Sequence, residues 1–259
     1  MYIHISRNIY YQSFKLIHVW IIGVTIMFLS IATAFLGYVL ATVITNLLSA
    51  IPYLGGFSIS NATLNRFFSL HFILPLVIFL LVVIHIFSLH LTGSSNPMGY
   101  NRNVYKIYFH PYFTIKDILI FVLILLFFIF LICQFPYYLG DPDNFKIANS
   151  IMTPAHIKPE WYFLFAYSIL RAIPNKLGGV IALLISILIL YVMPLYNNCI
   201  KSNKFYPLRQ LLYWFFINNF IMLTWLGRQV IEYPFIVLNE IFTLSYFLFF
   251  FCLPLSYIY

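Results

Sequence analysis

The chain has 259 residues, of which 63% are hydrophobic and only 8% are charged. A soluble protein of this length could not bury so much apolar surface, and the long apolar runs do not alternate with polar residues as strands would. The net charge of +8 comes from only 14 basic residues, which follow the loops and form no patch for nucleic acid. We therefore predict an all-α, polytopic membrane helix bundle in a lipid bilayer, with no nucleic-acid partner.

About six transmembrane helices are predicted, because roughly 20 apolar residues cross a bilayer core. They cover residues 17–40, 64–91, 118–135, 177–196, 211–226 and 236–258. Pro52, Gly55 and Gly56 interrupt the connection between the first two. The longest connection, residues 136–177, holds five of the thirteen prolines and three of the six acidic residues, and a long connection of this kind is usually functional. Within it, residues 161–172 are predicted to form a short amphiphilic helix along the membrane surface.

The second predicted span carries three histidines, and ionisable groups inside a membrane are costly enough to suggest a function. His71 and His85 are fourteen residues apart, so both face one side of a helix, about 21 Å apart along its axis. One imidazole near each membrane surface suits two stacked, histidine-ligated cofactors such as haems. The structural alternative is that each histidine only hydrogen-bonds a neighbouring helix. His90 lies five residues beyond His85 and therefore points elsewhere.

The first span repeats this interval with two glycines. Gly23 and Gly37 are also fourteen residues apart, and glycines on one helical face permit close approach of another helix or of a flat cofactor. Ordinary small-residue packing between helices would explain either glycine alone. The shared interval favours cofactor packing at two levels of the membrane.

Several stretches of the chain together resemble one family. They are TAFLGYVL, ATVITNLLSAIPY, RFFSLHFILP, HLTGSSNP, HPYFTIKDIL, LGDPDNF, TPAHIKPEWYFLFAYSILRAIPNKLGG and YPLRQ, which cover nearly the whole chain in family order. On these motifs, of which PEWYFLFAY is highly specific, the chain is similar to mitochondrial cytochrome b, the haem-carrying subunit of the ubiquinol–cytochrome c reductase. The resemblance implies an electron-transfer subunit with two haems b. Such a subunit oxidises ubiquinol at one membrane face, reduces ubiquinone at the other and couples this to proton translocation.

The haem ligands are implied residue by residue. His71 matches a ligand of the low-potential haem, near the side where quinol is oxidised. His85 matches a ligand of the high-potential haem, near the side where quinone is reduced, and His4 matches its partner ligand. Gly23 and Gly37 match glycines that pack against the two haems.

The quinol-oxidation pocket is implied by the same resemblance. Glu160 matches its glutamate, and quinol oxidation needs a carboxylate that accepts a proton and hands it on. Tyr162 belongs to the same motif, and Tyr167 and Tyr38 are expected nearby in that pocket.

The quinone-reduction pocket is matched by His90, Ser94, Lys116 and Asp117. Because quinone reduction takes up protons, His90 and Asp117 could supply them. Arg7 matches a residue that contacts a haem propionate.

The resemblance also implies a location and partners. These are the mitochondrial inner membrane, a multi-pass topology, and assembly with the Rieske iron–sulfur protein, a cytochrome c1-type subunit and other complex III subunits into a dimer. Residues 1–97 would be the remnant of the haem-binding N-terminal bundle. Residues 98–259 would be the C-terminal membrane domain, with the quinol-site loop 136–177.

Three departures from the family leave the activity of this chain open. Relatives carry two helices and a leader before the position of His4, and the partner of His71 is expected fourteen residues before His4. Between Leu40 and Ala41, relatives carry Pro-Trp-Gly-Gln-Met-Ser-Phe-Trp-Gly, which is part of the wall of the quinol-oxidation site. A longer Trp-containing segment is replaced by residues 54–56.

Two alternatives to a catalytic subunit follow. One is a non-catalytic partial or pseudogene-derived fragment of cytochrome b, which the departures favour. The other is a transporter or channel that uses the same polar residues, which would predict inverted repeats. The sequence has no such internal repeat.

Overall fold

The computed structural model describes residues 1–41, 61–100, 103, 106–140, 145, 158–196 and 202–256. Over these residues the chain is helical and has no strand, as predicted. The eight α-helices found there are α1 (Tyr2–Tyr10), α2 (Ile17–Ala41), α3 (Asn61–Thr92), α4 (Tyr112–Gln134), α5 (Leu164–Ala172), α6 (Lys176–Leu188), α7 (Pro207–Arg228) and α8 (Phe235–Leu255). The predicted break at Pro52, Gly55 and Gly56 and the loop acids Asp141 and Asp143 lie outside the described residues.

Five helices of the described part are long and apolar enough to cross a membrane. They are α2, α3, α4, α6 with its 3₁₀ extension Ile189–Leu195, and α8, which correspond to five of the six predicted spans. The sixth predicted span, residues 211–226, lies within α7, a helix of 22 residues. α7 is less apolar than the other five, since it contains Asn218 and Asn219, and its crossing of the membrane stays a prediction.

The helices belong to two compact units. Residues 1–99 and 150–259 form the first unit, and residues 100–149 form the second. The second unit contains α4, none of whose residues is buried. The domain division at residue 97 stays a prediction.

In the first unit, α5 packs against α6, α7 and α8. It begins with a 3₁₀ turn, Trp161–Phe163, and buries Ile169 and Ser168 completely. The Ser168 hydroxyl donates to the Asn239 side-chain oxygen, and Asn239 Nδ2 donates back to the Ser168 carbonyl over 2.8 Å. The short helix predicted over residues 161–172 is therefore confirmed, and its alignment along the membrane surface stays a prediction.

The α2–α3 pair carries the histidines and glycines singled out in the sequence. α3 packs along α2 and leaves its other side uncovered, with Phe72 67% and Phe79 71% exposed. Exposed aromatic and aliphatic side chains on a helix of this length suit a lipid-facing surface. One face of α3 is thus left for α2 and for the groups between them.

Candidate functional site

The ring of His85, in the second half of α3, faces the ring of His4 on α1. The two ring centroids are 6.4 Å apart, and the ring planes are inclined by 70°. Two metal–nitrogen bonds of about 2 Å, extended by the distance from each nitrogen to its ring centre, would separate the centroids by roughly 6 Å. The observed separation therefore matches that of two imidazoles on opposite sides of one metal ion.

Gly23 on α2 lies directly against His85. A Cβ atom at Gly23 would be 3.0 Å from Cε1 of His85, which is closer than carbon atoms normally approach. The Nδ1 atom of His85 is buried and has no hydrogen-bond partner among the described residues. The glycine thus clears space beside an imidazole that retains an unused polar atom.

A cavity of about 400 Å³ opens at this level of the first unit. It is lined on several sides by residues that include His4, Arg7, Trp20, Gly23, His85 and Ser94. Trp20 is held in the wall, because its indole Nε1 donates to the Leu190 carbonyl over 2.8 Å. The cavity therefore combines two imidazoles, one cation and a rigid aromatic wall.

The second level repeats the arrangement with His71 and Gly37. A Cβ atom at Gly37 would be only 2.5 Å from Cε1 of His71. The His71 ring also bonds the backbone of α2, with 2.9 Å between its Nδ1 and the Thr33 carbonyl oxygen. Since a carbonyl only accepts, Nδ1 carries the proton, and the Nε2 lone pair of the neutral ring is left for a metal.

Thr33 was not singled out in the sequence, although a signal for it exists. Thr33 is four residues before Gly37, so its carbonyl lies about one helical turn from the glycine, toward the N-terminus of α2. The missing Cβ of Gly37 therefore opens the way for the His71 ring to that carbonyl. The Val19 backbone is near the His85 ring in the corresponding position, four residues before Gly23.

Glu160 and Tyr162 lie where α1, α2 and the start of α5 meet. The Tyr2 hydroxyl on α1 donates to the Tyr162 carbonyl over 2.7 Å, and the Tyr38 hydroxyl on α2 reaches the Lys158 carbonyl at 3.5 Å. Burial raises the pKa of the Tyr162 phenol, and the adjacent Glu160 carboxylate raises this pKa further. The structure thus brings Tyr38 and Tyr162 to the predicted carboxylate segment.

Tyr167 is positioned by an arginine that the sequence analysis did not consider. The Arg171 guanidinium lies over the Tyr167 ring, 4.9 Å from its centroid. Its two terminal nitrogens donate to the carbonyls of Leu226 and Gln229 over 2.9 and 3.0 Å. Arg171 therefore ties α5 to the end of α7 and fixes one face of Tyr167.

The residues predicted for quinone reduction fall in both units. His90 is exposed near the end of α3. Ser94 lines the same cavity as His4 and His85. Lys116 and Asp117 are exposed on α4 in the second unit and are described within that unit alone. Their role in one common pocket stays a prediction.

Comparison with known families covers almost the whole chain. Residues 1–142 match the family described as cytochrome b(N-terminal)/b6/petB. Residues 147–247 match cytochrome b(C-terminal)/b6/petD.

Individual relatives agree with this assignment. A cytochrome b of Apis mellifera ligustica is 66% identical over an alignment of 269 positions, gaps included. The alignment covers 97% of this chain and 70% of the relative. A solved hyperthermophilic respiratory complex III contains a chain that superposes with a TM-score of 0.86 at 31% identity, covering 99% of this chain and 74% of that one. On the family matches, the high identity and the shared fold, the chain belongs to the cytochrome b family.

Proposed function

We propose that the chain is the electron-transfer subunit of a ubiquinol–cytochrome c reductase in the mitochondrial inner membrane. In this proposal it holds two b-type haems, oxidises ubiquinol at one membrane face and reduces ubiquinone at the other, coupled to proton translocation. The observation that carries the proposal is the His4–His85 pair facing across 6.4 Å beside Gly23. This pair supplies two nitrogen ligands and cleared space at one level of the bundle.

The residues at this level fit a haem. When bound, a haem would supply one-electron transfer at this level. His4 and His85 would hold the iron, and Gly23 would leave room for the flat ring system. Arg7 lines the same cavity and would pair with an anionic substituent of the haem.

At the other level, His71 would be a ligand of the second haem. Its Nδ1 donates to the Thr33 carbonyl, which fixes both the tautomer and the ring orientation before any metal binds. Gly37 would provide the clearance there. Among the described residues, no second imidazole pairs with His71 as His4 pairs with His85.

For quinol oxidation, Glu160 would accept a proton from the substrate and pass it on. Burial and the adjacent Glu160 carboxylate raise the pKa of Tyr162, and its phenol, neutral at physiological pH as in any tyrosine, can donate a hydrogen bond. Tyr167, fixed by Arg171, and Tyr38 would line the same pocket. For quinone reduction, His90 and Asp117 would supply protons, with Ser94 and Lys116 binding the substrate.

The partners follow from the match to a chain of a respiratory complex III. We infer that this chain assembles with complex III subunits that include a Rieske iron–sulfur protein and a cytochrome c1-type subunit. A dimer of the assembled complex is part of the same inference.

A second candidate is a non-catalytic partial copy of the family. The alignment with the Apis relative spans 269 positions but covers only 97% of the 259 residues of this chain, so the relative has residues opposite gaps in this chain. A gap between Leu40 and Ala41 would remove part of the wall of the quinol-oxidation site. This candidate predicts haem binding without quinol oxidation.

A substitution at Glu160 separates the two candidates. In the catalytic proposal, Glu160→Gln lowers quinol–cytochrome c turnover by about 100-fold or more, because general acid–base groups typically contribute 10²–10⁴-fold. The exposed Glu240 on α8 provides the control, and Glu240→Gln should leave turnover unchanged. If complex III assembled with the unsubstituted chain gives a b-type spectrum after dithionite reduction but no turnover, the non-catalytic candidate is correct. The absence of any b-type absorbance would refute both.

A further inference from the structure

α7 and α8 are antiparallel neighbours whose register is set by aromatic contacts. Phe216 on α7 packs against Tyr246 and Phe249 on α8, with centroids 5.5 and 4.1 Å apart. Nearer the connection between the two helices, Trp225 contacts Phe235 at 5.7 Å. Between these two contacts, residues further along α7 therefore lie opposite residues progressively earlier in α8.

Two polar residues lie one turn from the Phe216–Tyr246 contact. Asn219 is three residues after Phe216, and Thr243 is three residues before Tyr246. Because residues three apart share a helical face, Asn219 and Thr243 project into the same α7–α8 interface at the same level. Both are deeply buried, with exposed fractions of 1% and 6%.

These two side chains have unsatisfied hydrogen-bonding groups. Asn219 Nδ2, Asn219 Oδ1 and Thr243 Oγ1 have no hydrogen-bond partner among the described residues, so the two residues also do not bond each other. Other polar groups of the two helices are satisfied: the buried Tyr246 donates to the Ser186 carbonyl over 2.8 Å, and the half-buried Thr224 donates to the Phe220 carbonyl over 2.9 Å. Buried polar groups in folded proteins nearly always have a hydrogen-bond partner. Asn219 and Thr243 therefore need a partner that the described residues do not provide.

We propose that Asn219 and Thr243 bind a water molecule buried between α7 and α8. A buried water typically makes about three hydrogen bonds to groups that otherwise lack a partner, and Asn219 and Thr243 together carry three such atoms. The amide offers a donor and an acceptor, and the threonine hydroxyl offers either role. This water would join Asn219 to the polar side of α8, where Asn239, Thr243 and Tyr246 share one face.

The direct test is a density map of the full chain within its lipid-embedded complex, at a resolution that shows ordered waters. The proposal predicts one isolated peak within about 2.6–3.2 Å of polar atoms of both Asn219 and Thr243. A direct hydrogen bond between the two side chains, or a dry interface without a peak, would overturn it.

A stability cycle tests the same site without a map. Asn219→Leu and Thr243→Val should each lower the Tm by about 2–4 °C, because each leaves the water and the other side chain short of partners. The double variant should lose clearly less than the two single losses added together, since it removes all three polar atoms. Thr224→Val is the matched control: its hydroxyl already bonds its own helix, so its effect should add to that of Asn219→Leu. Full additivity of the Asn219 and Thr243 substitutions would contradict the proposal.

Discussion

The two levels of the α2–α3 pair have the same sequence spacing but different surroundings. At one level His85 faces His4, and the Val19 backbone lies near the His85 ring. At the other level His71 is bonded through Nδ1 to the Thr33 carbonyl. The space beside Gly37 is also narrower. A Cβ atom at Gly37 would lie 2.5 Å from Cε1 of His71, whereas one at Gly23 would lie 3.0 Å from Cε1 of His85.

A histidine that binds a metal needs a hydrogen bond that orients its ring and a second ligand opposite it, and the two levels differ in these two features. His71 already has the hydrogen bond that orients a metal-bound imidazole. His85 has the opposing imidazole, and the Val19 backbone lies near its ring in the position that corresponds to Thr33. A fourteen-residue interval therefore predicts which residues face the same helix, while the contacts around each ring decide how completely each site is formed.

The largest expected effect comes from removing each imidazole in turn. His85→Ala should eliminate the haem of its level and reduce quinol–cytochrome c turnover to background, because a required electron carrier is lost. His71→Ala should eliminate the other haem by the same reasoning. Haem content and dithionite-reduced spectra of the purified complex measure both effects.

The control for these variants is His18, an exposed histidine at the start of α2 that does not line the cavity at the His4–His85 level. His18→Ala should keep the full haem content. Equal spectra for the His18, His71 and His85 variants would show that neither proposed ligand binds haem.

The two glycines should differ in their sensitivity to a methyl group. Gly37→Ala is expected to cost about 1–3 kcal/mol through overpacking, because its Cβ would lie 2.5 Å from the His71 ring. Gly23→Ala should cost less, since its Cβ would meet the His85 ring at 3.0 Å. Thermal unfolding of the two variants shows which loses more stability, with a Tm decrease of about 2–4 °C expected per kcal/mol.

A suitable control is Gly140, where an added Cβ would have an ordinary contact of 3.5 Å with the Tyr137 carbonyl. Gly140→Ala should change the Tm little. A larger effect at Gly23 than at Gly37 would reverse the predicted order.

A smaller effect is expected from loosening α1, which carries His4. Tyr2→Phe removes the hydrogen bond to the Tyr162 carbonyl and should cost about 0.5–1.5 kcal/mol. It should weaken haem retention at the His4–His85 level and leave the His71 level unchanged. Equal losses at the two levels would argue against α1 as a support of one site alone.

The same residue predicts a pH dependence. Burial, with a smaller contribution from Tyr162, raises the pKa of Tyr2 to about 12. Between pH 10 and 12, Tyr2 ionises in the unfolded chain but not in the folded chain, so its contribution to stability falls as the pH rises. The Tm difference between wild type and Tyr2→Phe should therefore shrink above pH 10, as urea or thermal unfolding at several pH values can measure.

Much of the fold could be predicted because apolar runs determine membrane helices directly. The runs of α2, α3, α4, α6 and α8 are long enough to identify alone. The run in α7 is less apolar, because residues such as Asn219 are buried against protein and lower the hydropathy of a helix that is nevertheless well formed.

The site was only partly predictable. His71, His85, Gly23 and Gly37 follow from helical periodicity within single segments. The Thr33 carbonyl carries no side-chain signal of its own, and only its position four residues before Gly37 indicates it. The contact from Tyr2 to Tyr162 joins residues 160 positions apart, and no local pattern encodes such a pairing.

The most direct test of the central claim is the axial ligation of the haem between His4 and His85. Electron paramagnetic resonance and near-infrared magnetic circular dichroism of the oxidised full chain should show low-spin iron with two imidazole ligands. His4→Gly should convert the signal of that haem to high spin, and added imidazole should restore it, because the free ligand occupies the vacated position. A two-imidazole signal that is unchanged in His4→Gly would contradict the assignment of this pair.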